Sequence, residues 1–454
     1  MRELKIGTGW VRGVVGDALN PELVIGFSRA FGTWAEGGPV VIGRDTRRSS
    51  VMFQQAVTAG LLNSNCQVID LGETSTPLIS FAVRELGASG GVSVTGSHND
   101  SSWNALKFLG PEGSLLNPIK SEEFLDLFHA SSFQTFGPHP PPPQPAAPGI
   151  ADAYLDHLCS ALAEEEIRTR GFRIALDFRF GAVAPLADQF LKRLGVQTVT
   201  LNVSPAIDWH LQLEPTPDSM GELATLVSNG RFDFGAALNI DGDRLVLVAE
   251  DGTCVSEEYT LPLVARSRLL RRPGPVVTTL STSKRIDPVA AEFDQKVVRT
   301  AVGESFVMDR GVELEAVVAG EGSGGVAALP ASMTFDALLS LGLILEFLAS
   351  ERDRLSDAVQ TIPRTEMLKG RVRCSAPAAY RALEKCRQVY AEGISSLDDG
   401  IRVDWDDAWL HLRVSNTEPL LRIIAESDDA RRTQKIFDGC LGVIRHSLAE
   451  EETK

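Results

Sequence analysis

The chain has 454 residues, with 44 Lys and Arg against 60 Asp and Glu, for a formal net charge of −16. Its 43% hydrophobic and 23% charged residues fall in the ordinary globular range, which excludes intrinsic disorder and leaves apolar material for several cores. So acidic a chain argues against a sequence-independent binder of nucleic acid or of an anionic membrane surface, while a locally basic site for a small anion remains open. No segment reaches the roughly 18 uninterrupted apolar residues of a membrane span. The first residues, MRELKIGTGWVRG, lack the apolar core and cleavage site of a signal peptide. Six cysteines (Cys66, Cys159, Cys254, Cys374, Cys386 and Cys440) lie far apart with no CxxC pair. That spacing suits neither a zinc site nor a disulfide framework, and reads as free thiols in a reducing cytoplasm.

The pattern from the N-terminus alternates strands and helices. PVVIGRD (39–45) reads as a buried strand and 49–63 as a helix. CQVIDLG (66–72) is a second strand, 77–87 a helix stopped by glycine, and GGVSVTGS (90–97) a third strand. Such alternation predicts an α/β domain over 1–136. GPHPPPPQPAAPG (137–149) has seven prolines in thirteen residues, so it predicts a stiff, extended linker. A second α/β unit (150–252) carries a helix at about 150–166, the strand 172–178, a helix over 182–195, and strands 196–202 and 233–241. The third (253–360) carries a helix over 257–270, strands 276–283, 296–302 and 315–325, and a long helix over 334–351. From 361 the pattern becomes that of an antiparallel sheet covered by helices. Four domains account for this order better than three.

In each of the first three units an apolar strand runs into a polar, glycine-bearing loop: VSVTGSHN, GAALNIDGDR and AVVAGEGSGG. Ligands of α/β sheets gather at such strand ends. NIDGDR sets Asn239, Asp241 and Asp243 at alternate positions, which an extended segment would point one way. Clustered oxygens suit Mg²⁺, yet Asp-Gly between apolar strands is also a hairpin signal, and both can hold together. In TGSHND, Ser97 is either a nucleophile or phosphate carrier, with Lys107 nearby, or part of a Ser/Asn-rich turn. GEGSGG (320–325) either binds sugar hydroxyls or is a flexible loop. RVSNTEPLLR (413–422) groups short polar side chains between two arginines, as a phosphate cradle or as a cap or turn.

Together and in this order, these segments resemble the successive signatures of the α-D-phosphohexomutase family, which includes phosphomannomutase/phosphoglucomutase and phosphoglucosamine mutase. They are GTGWVRG, GRDTRRSS, TGSHND with WNALKF, NIDGDR, GEGSGG and RVSNTEPLLR, and STSKRIDPVAAEF with VVRTAVGE (281–304) resembles a third-domain segment. The resemblance spans about residues 5 to 445. It implies three related mixed-sheet α/β domains and a smaller C-terminal α+β domain around a central cleft. It also implies an isomerase that interconverts hexose 1-phosphate and 6-phosphate through a phosphoserine and a 1,6-bisphosphate. By position, Ser97 resembles the phosphoserine, with Mg²⁺ held by Asp241, Asp243, Asn239 and a Ser97 phosphate oxygen. Arg12 and Lys107 match the cationic acid/base or charge-stabilising residues, assisted by His98. Arg244 matches a support of the metal loop and phosphoserine, and Glu321 and Ser323 match sugar-hydroxyl contacts. Arg413, Ser415, Asn416, Thr417 and Arg422 match the site for the non-reacting phosphate. Hexose 1,6-bisphosphate is the implied activator, sugar phosphates are the partners, and a monomer or homodimer is the expected assembly.

Three departures stand out. Asn239 replaces the family's usual Asp, Asp100 its usual Pro, and Ala105 its usual Gly. Asp100, beside Ser97, is expected to make up part of the charge lost at Asn239. WNALKF and GEGSGG lean toward relatives acting on glucosamine phosphate rather than on mannose or glucose phosphate. The rival readings are a non-catalytic sugar-phosphate binder of the same fold and a sugar phosphatase or other phosphoryl transferase.

Overall fold

Runs of Val, Ile, Ala and Leu between glycine-marked turns build four sheets, each with its own helices, in a computed structural model of the chain. It describes residues 4–135, 142–145, 148–204, 212–415 and 420–452. The first sheet runs in the order Lys5–Gly7, Trp10–Val14, Trp103–Leu109, Gly90–Val94, Val40–Arg44, Val68–Glu73 and Gln144–Pro145. The second is Leu245–Ala249, Phe234–Leu238, Arg173–Asp177 and Gln197–Leu201. The third is Val297–Thr300, Val276–Thr279, Val318–Gly320 and Val326–Ala328.

These three sheets share one plan. Three parallel strands stand in the spatial order second, first, third, and the third then turns back into an antiparallel fourth strand. Each polar loop noted in the sequence is that final turn: 95–102, 239–244 and 321–325. The loops are therefore topologically equivalent, which is why three domains can present them to one place. The fourth sheet, Glu366–Arg373, Leu420–Ser427, Ala408–Val414, Ile401–Asp404 and Ile394–Ser396, is antiparallel throughout. Helices Ala376–Val389 and Ala430–Glu452 accompany it.

The second and third domains share one core, filled on the third-domain side by helix Ala337–Glu351, whose first twelve residues are all buried. The first and fourth domains keep separate apolar clusters. Polar contacts tie the fourth domain to the third. The buried Glu426 carboxylate accepts from Ser283 Oγ, Thr365 Oγ1, Trp409 Nε1 and the Lys284 amide, the last at 2.9 Å.

Some elements differ from expectation. The helix expected over 150–166 breaks into Ile150–Ser160 and Glu164–Arg170, because Leu162 turns into the core and the Ala163 amide donates to Glu346 Oε2 at 2.7 Å. The helix expected from 334 starts at Ala337, because Asp336 caps it by accepting from the Leu339 amide and also takes the Tyr154 hydroxyl. Of the proline segment, Gln144–Pro145 adds an edge strand beside Ile69 and Asp70, where a missing N–H costs least; residues 136–141 and 146–147 lie outside the described residues. Among the described residues, no helix is long and apolar enough to cross a membrane.

Candidate active site

Ser97 sits at the turn after strand Gly90–Val94 with φ +46°, a conformation that costs a non-glycine residue energy and needs support. GRDTRRSS supplies that support. Asp45, fully buried, accepts from the Arg47 amide and Nε, Ser50 Oγ, Thr95 Oγ1 and the Gly96 amide. Arg47, equally buried, then donates to the carbonyls of Ser97, Asn99, Asp100 and Trp103 at 2.8, 2.6, 2.6 and 3.1 Å. Five N–H donors in a fixed fork suit this work, since one residue must satisfy a ring of orphan carbonyls. Gly96 has to be glycine, because a Cβ there would lie 2.6 Å from Arg47 Cζ. GRDTRRSS shows this bracing role only through these contacts, since its sequence alone marks it as a signature and no more.

The NIDGDR segment is a turn, not an extended run. Phe234–Leu238 pairs with Leu245–Ala249, and Gly242 takes φ +74° between them. The three polar side chains still converge, because the turn closes on Asn239. Its Oδ1 accepts from the amides of Asp243 and Arg244, each at 3.0 Å. Its Nδ2 donates to Asp241 Oδ1 at 2.8 Å and Asp243 Oδ1 at 2.5 Å. Across the domain boundary, Lys107 Nζ lies 2.7 Å from Asp241 Oδ2 and 2.6 Å from Asp243 Oδ2. Ser97 Oγ donates to Asp241 Oδ1 at 3.1 Å. Backbone bonds anchor the 239–244 turn to the first and third domains, from Thr76 N to Asp241 O and from Ala337 N to Gly242 O.

Electrostatics follow from this packing. Burial alone would lower the Lys107 ammonium, but Asp241 and Asp243 outweigh it and hold the group well above its usual range. Burial and the neighbouring Asp243 push Asp241 up, whereas Lys107 and Arg244 overcome burial to hold Asp243 down. Burial, then Arg244, lowers Arg12 to about 10. Its guanidinium stacks 4.2 Å over the Trp10 ring and donates to Asn99 Oδ1 at 3.0 Å. His98 is held well below the usual imidazole range by burial and by four surrounding cations, so it is neutral, and its buried Nδ1 has no partner among the described residues.

Arg244 donates to Glu214 Oε1 at 2.8 Å and lies between the 239–244 turn and the third domain, where it bridges to Gly325. In the third loop, Ser323 Oγ donates to Glu321 Oε2 at 3.3 Å, and the buried Glu321 Oε1 has no partner among the described residues. Burial raises the Glu321 carboxyl, with Arg244 and Arg413 opposing. In the fourth domain, Arg413 and Arg422 are direct cross-strand partners and Arg371 faces Arg422 on the other side. Like charges in a row repel one another, and Asp399 Oδ2 lies 3.6 Å from Arg413 Nη1. Ser415 donates its amide to the Leu420 carbonyl, and Arg422 is near enough to influence Arg12 and His98 in the first domain. Asn416 and Thr417 lie outside the described residues.

Asp100 does not make up the charge at Asn239. It is exposed, and its Oδ1 accepts from the amide and hydroxyl of Ser102, which closes a local turn. Its own loop offers those donors two residues away, so the carboxylate has no reason to reach the 239–244 turn. Sequence reading also passed over Glu304, which accepts from Thr334 Oγ1 and the Phe335 amide and lies close enough to Lys107 and Asp243 to feel both. Its only signal was the acid that closes VVRTAVGE.

Burial pushes Glu304 up to about 7, with Lys107 opposing. The folded value lies above the unfolded one, so this group's contribution to stability is full below about pH 4.5 and is lost as pH rises through about 7. In divalent-free buffer, Glu304→Gln should remove up to about 3 kcal/mol of that pH dependence. Denaturant midpoints measured from pH 5 to 8 check this, and an unchanged slope in the variant clears Glu304 of the effect.

Asp241 and Asp243 already face one cation, Lys107 Nζ, so the centre suits a hard cation with two carboxylates and a phosphoryl oxygen on Ser97. Among the described residues, no group of three or more His, Cys, Asp or Glu is arranged to hold a metal ion. Asn239 offers these acids a nitrogen rather than a third oxygen.

Family models for phosphoglucomutase/phosphomannomutase match the chain in order: alpha/beta/alpha domain I over residues 3–135, domain II over 152–252, domain III over 257–365 and the C-terminal domain over 371–441. A probable phosphoglucosamine mutase of Pyrococcus abyssi is 31% identical over 451 residues, covering 97% of this chain and 98% of that protein. A phosphoglucomutase/phosphomannomutase family protein of Burkholderia thailandensis superposes with a TM-score of 0.84 at 23% identity, covering 97% of this chain and 96% of the other. An Aspergillus fumigatus N-acetylphosphoglucosamine mutase, solved in complex with GlcNAc-6P and magnesium, has a TM-score of 0.62 at 13% identity, covering 98% and 96%. The order of the loops, the shared plan of three sheets and these likenesses agree: the chain belongs to the α-D-phosphohexomutase family and is an isomerase of the phosphoglucomutase/phosphomannomutase kind.

Proposed function

We propose that the chain interconverts the 1- and 6-phosphates of a hexose, with Ser97 as the residue that gives and takes the phosphoryl group. The observation that carries this reading is the placement of Ser97 Oγ 3.1 Å from Asp241 Oδ1, next to the Lys107 ammonium and in a loop that Arg47 braces. In the forward step, the P–O bond to Ser97 Oγ breaks as a bond to the sugar hydroxyl oxygen forms; the sugar hydroxyl gives up its proton and Ser97 Oγ takes one up to become a hydroxyl. Neutral His98, with an unpartnered Nδ1, suits acceptance of the sugar hydroxyl's proton. Lys107 stays charged, so with Arg12 it serves the negative charge on the phosphoryl oxygens rather than taking a proton. The bisphosphate then turns over, and its other phosphate returns to Ser97.

Arg413 and Arg422 flank the loop that holds the non-reacting phosphate, together with Ser415, Asn416 and Thr417. Glu321 and Ser323 meet the sugar hydroxyls, and Arg244 spans the metal and sugar loops. When bound, Mg²⁺ supplies fixed positive charge against the phosphoryl oxygens, held by Asp241, Asp243 and the Ser97 phosphate. The fourth domain has its own core and polar contacts to the third, which suits closure over the cleft and exclusion of water.

Glucosamine phosphate is the favoured substrate. The relatives include probable phosphoglucosamine mutases, and the buried, unpartnered Glu321 Oε1 suits a sugar that carries an ammonium group. Parallel assays of glucosamine, mannose and glucose 1-phosphates, with Mg²⁺ and catalytic hexose 1,6-bisphosphate, test the reading. The expected result is turnover, highest with glucosamine, and a phosphopeptide containing Ser97 in mass spectrometry. No turnover of any of the three would leave a sugar-phosphate-binding protein of this fold; release of inorganic phosphate without isomerisation would make it a phosphatase.

A further inference from the structure

We infer that Asn239 is not a ligand of the divalent ion but an amide clamp on the two carboxylates, which Lys107 bridges on their other edge. This rests on the proposed mutase reading only for the identity of the ion. The amide's orientation is fixed by its surroundings rather than by choice. Oδ1 accepts from two backbone N–H groups at 3.0 Å, and Nδ2 donates to two carboxylate oxygens at 2.8 and 2.5 Å. A flip would aim the NH₂ at two N–H donors and the carbonyl oxygen at two anions, turning four attractive contacts into four repulsive ones. The residue is fully buried, so water cannot repair them.

Aspartate at this position could accept the same two amides through one oxygen and present the other to a cation. Asparagine can keep the first job only. It therefore holds the turn closed while offering a donor where ligation needs an acceptor.

The carboxylate oxygens are shared out accordingly. Both Oδ1 atoms take the Asn239 amide, and both Oδ2 atoms take the Lys107 ammonium. The two acids are thus bridged on both edges by nitrogen, with Ser97 Oγ adding a third donor to Asp241. A divalent ion entering this centre finds two anionic side chains rather than three and has to displace an ammonium already at hydrogen-bond distance. Affinity of oxygen-ligand sites for such ions follows ligand charge, so binding is weak.

Isothermal titration of the full-length, unphosphorylated chain with Mg²⁺ tests this, using the native protein, Asn239→Asp and Asn239→Ala. Asn239→Asp should bind at least tenfold more tightly than native, while Asn239→Ala, which removes a clamp and no ligand, should stay within about threefold. A tenfold loss in Asn239→Ala would show that the amide oxygen ligates the ion and would overturn the inference. So would an Asn239→Asp protein that binds no more tightly than native. Should Asn239→Asp fail to fold by circular dichroism, Asn239→Ala still decides. Calorimetry reads the ion rather than turnover, so a protein inactive on every hexose phosphate that still shows the Asn239→Asp gain rejects the mutase reading and keeps this one.

Discussion

Ser97→Ala is expected to reduce hexose phosphate isomerisation by at least about 10³-fold while leaving the fold intact. The loss is large because no neighbouring group can carry the phosphoryl in its place. Oγ is the hydroxyl directed at the Asp241 carboxylate, and Thr95, the nearest alternative, uses its hydroxyl to hold Asp45. The fold should survive because the loop hangs on the Ser97 carbonyl and amide, which alanine retains. Alanine at φ +46° gives up little relative to serine, since both carry a Cβ. The coupled assay with catalytic hexose 1,6-bisphosphate reads the effect, and thermal melting reads the fold. Equal rates in the two proteins would remove the phosphoserine from the mechanism; a collapsed melting profile would mean the assay had reported folding instead.

The second large effect is on stability. Lys107→Met should cost about 3–5 kcal/mol near neutral pH, since it strips the compensating charge from two buried carboxylates that stand side by side. The loss has a pH signature. Without the ammonium, the folded-state pKa values of the acid pair rise above their unfolded values. The protonated pair then supports folding below about pH 4, and that support is lost as pH rises. The deficit against native protein should therefore be small near pH 4–5 and grow toward pH 8. Because Mg²⁺ would then supply the missing positive charge, millimolar Mg²⁺ should raise the melting temperature of Lys107→Met more than that of the native protein. Denaturant and thermal melts over that pH range, with and without Mg²⁺, check both statements. A deficit independent of pH would mean that lost packing, not unpaired charge, is the cause.

Much of the architecture is local, and local patterns reach the sequence directly. Apolar runs such as VVIG and GAAL are buried strands, spaced helices follow Asn, Ser or Asp caps, and the three glycine-bearing loops close the third parallel strand of each sheet. The same holds for the residue types at the site: a serine on a strand end, acids two apart and arginines flanking a polar loop need only neighbouring residues to be recognised. At two helix bounds a distant partner overrides the local pattern. The helix after Gly149 breaks because of Glu346, nearly two hundred residues away in the chain, and the long helix begins late because its capping Asp336 also answers to Tyr154.

The centre itself is settled by contacts both near and far along the chain. Spacing alone put Asn239, Asp241 and Asp243 on one side of an extended strand; the folded turn brings them together by wrapping two backbone amides around the Asn239 oxygen. Asp100, three residues after Ser97, turns away to Ser102, whereas Asp241, 144 residues after Ser97, receives its hydroxyl. Residue types, the succession of strands and helices and the turn positions are written in nearest-neighbour chemistry, so the sequence by itself determined them. Which atom of each side chain faces the centre depends on satisfying every buried donor and acceptor at once, across three domains, and only the tertiary structure decides that.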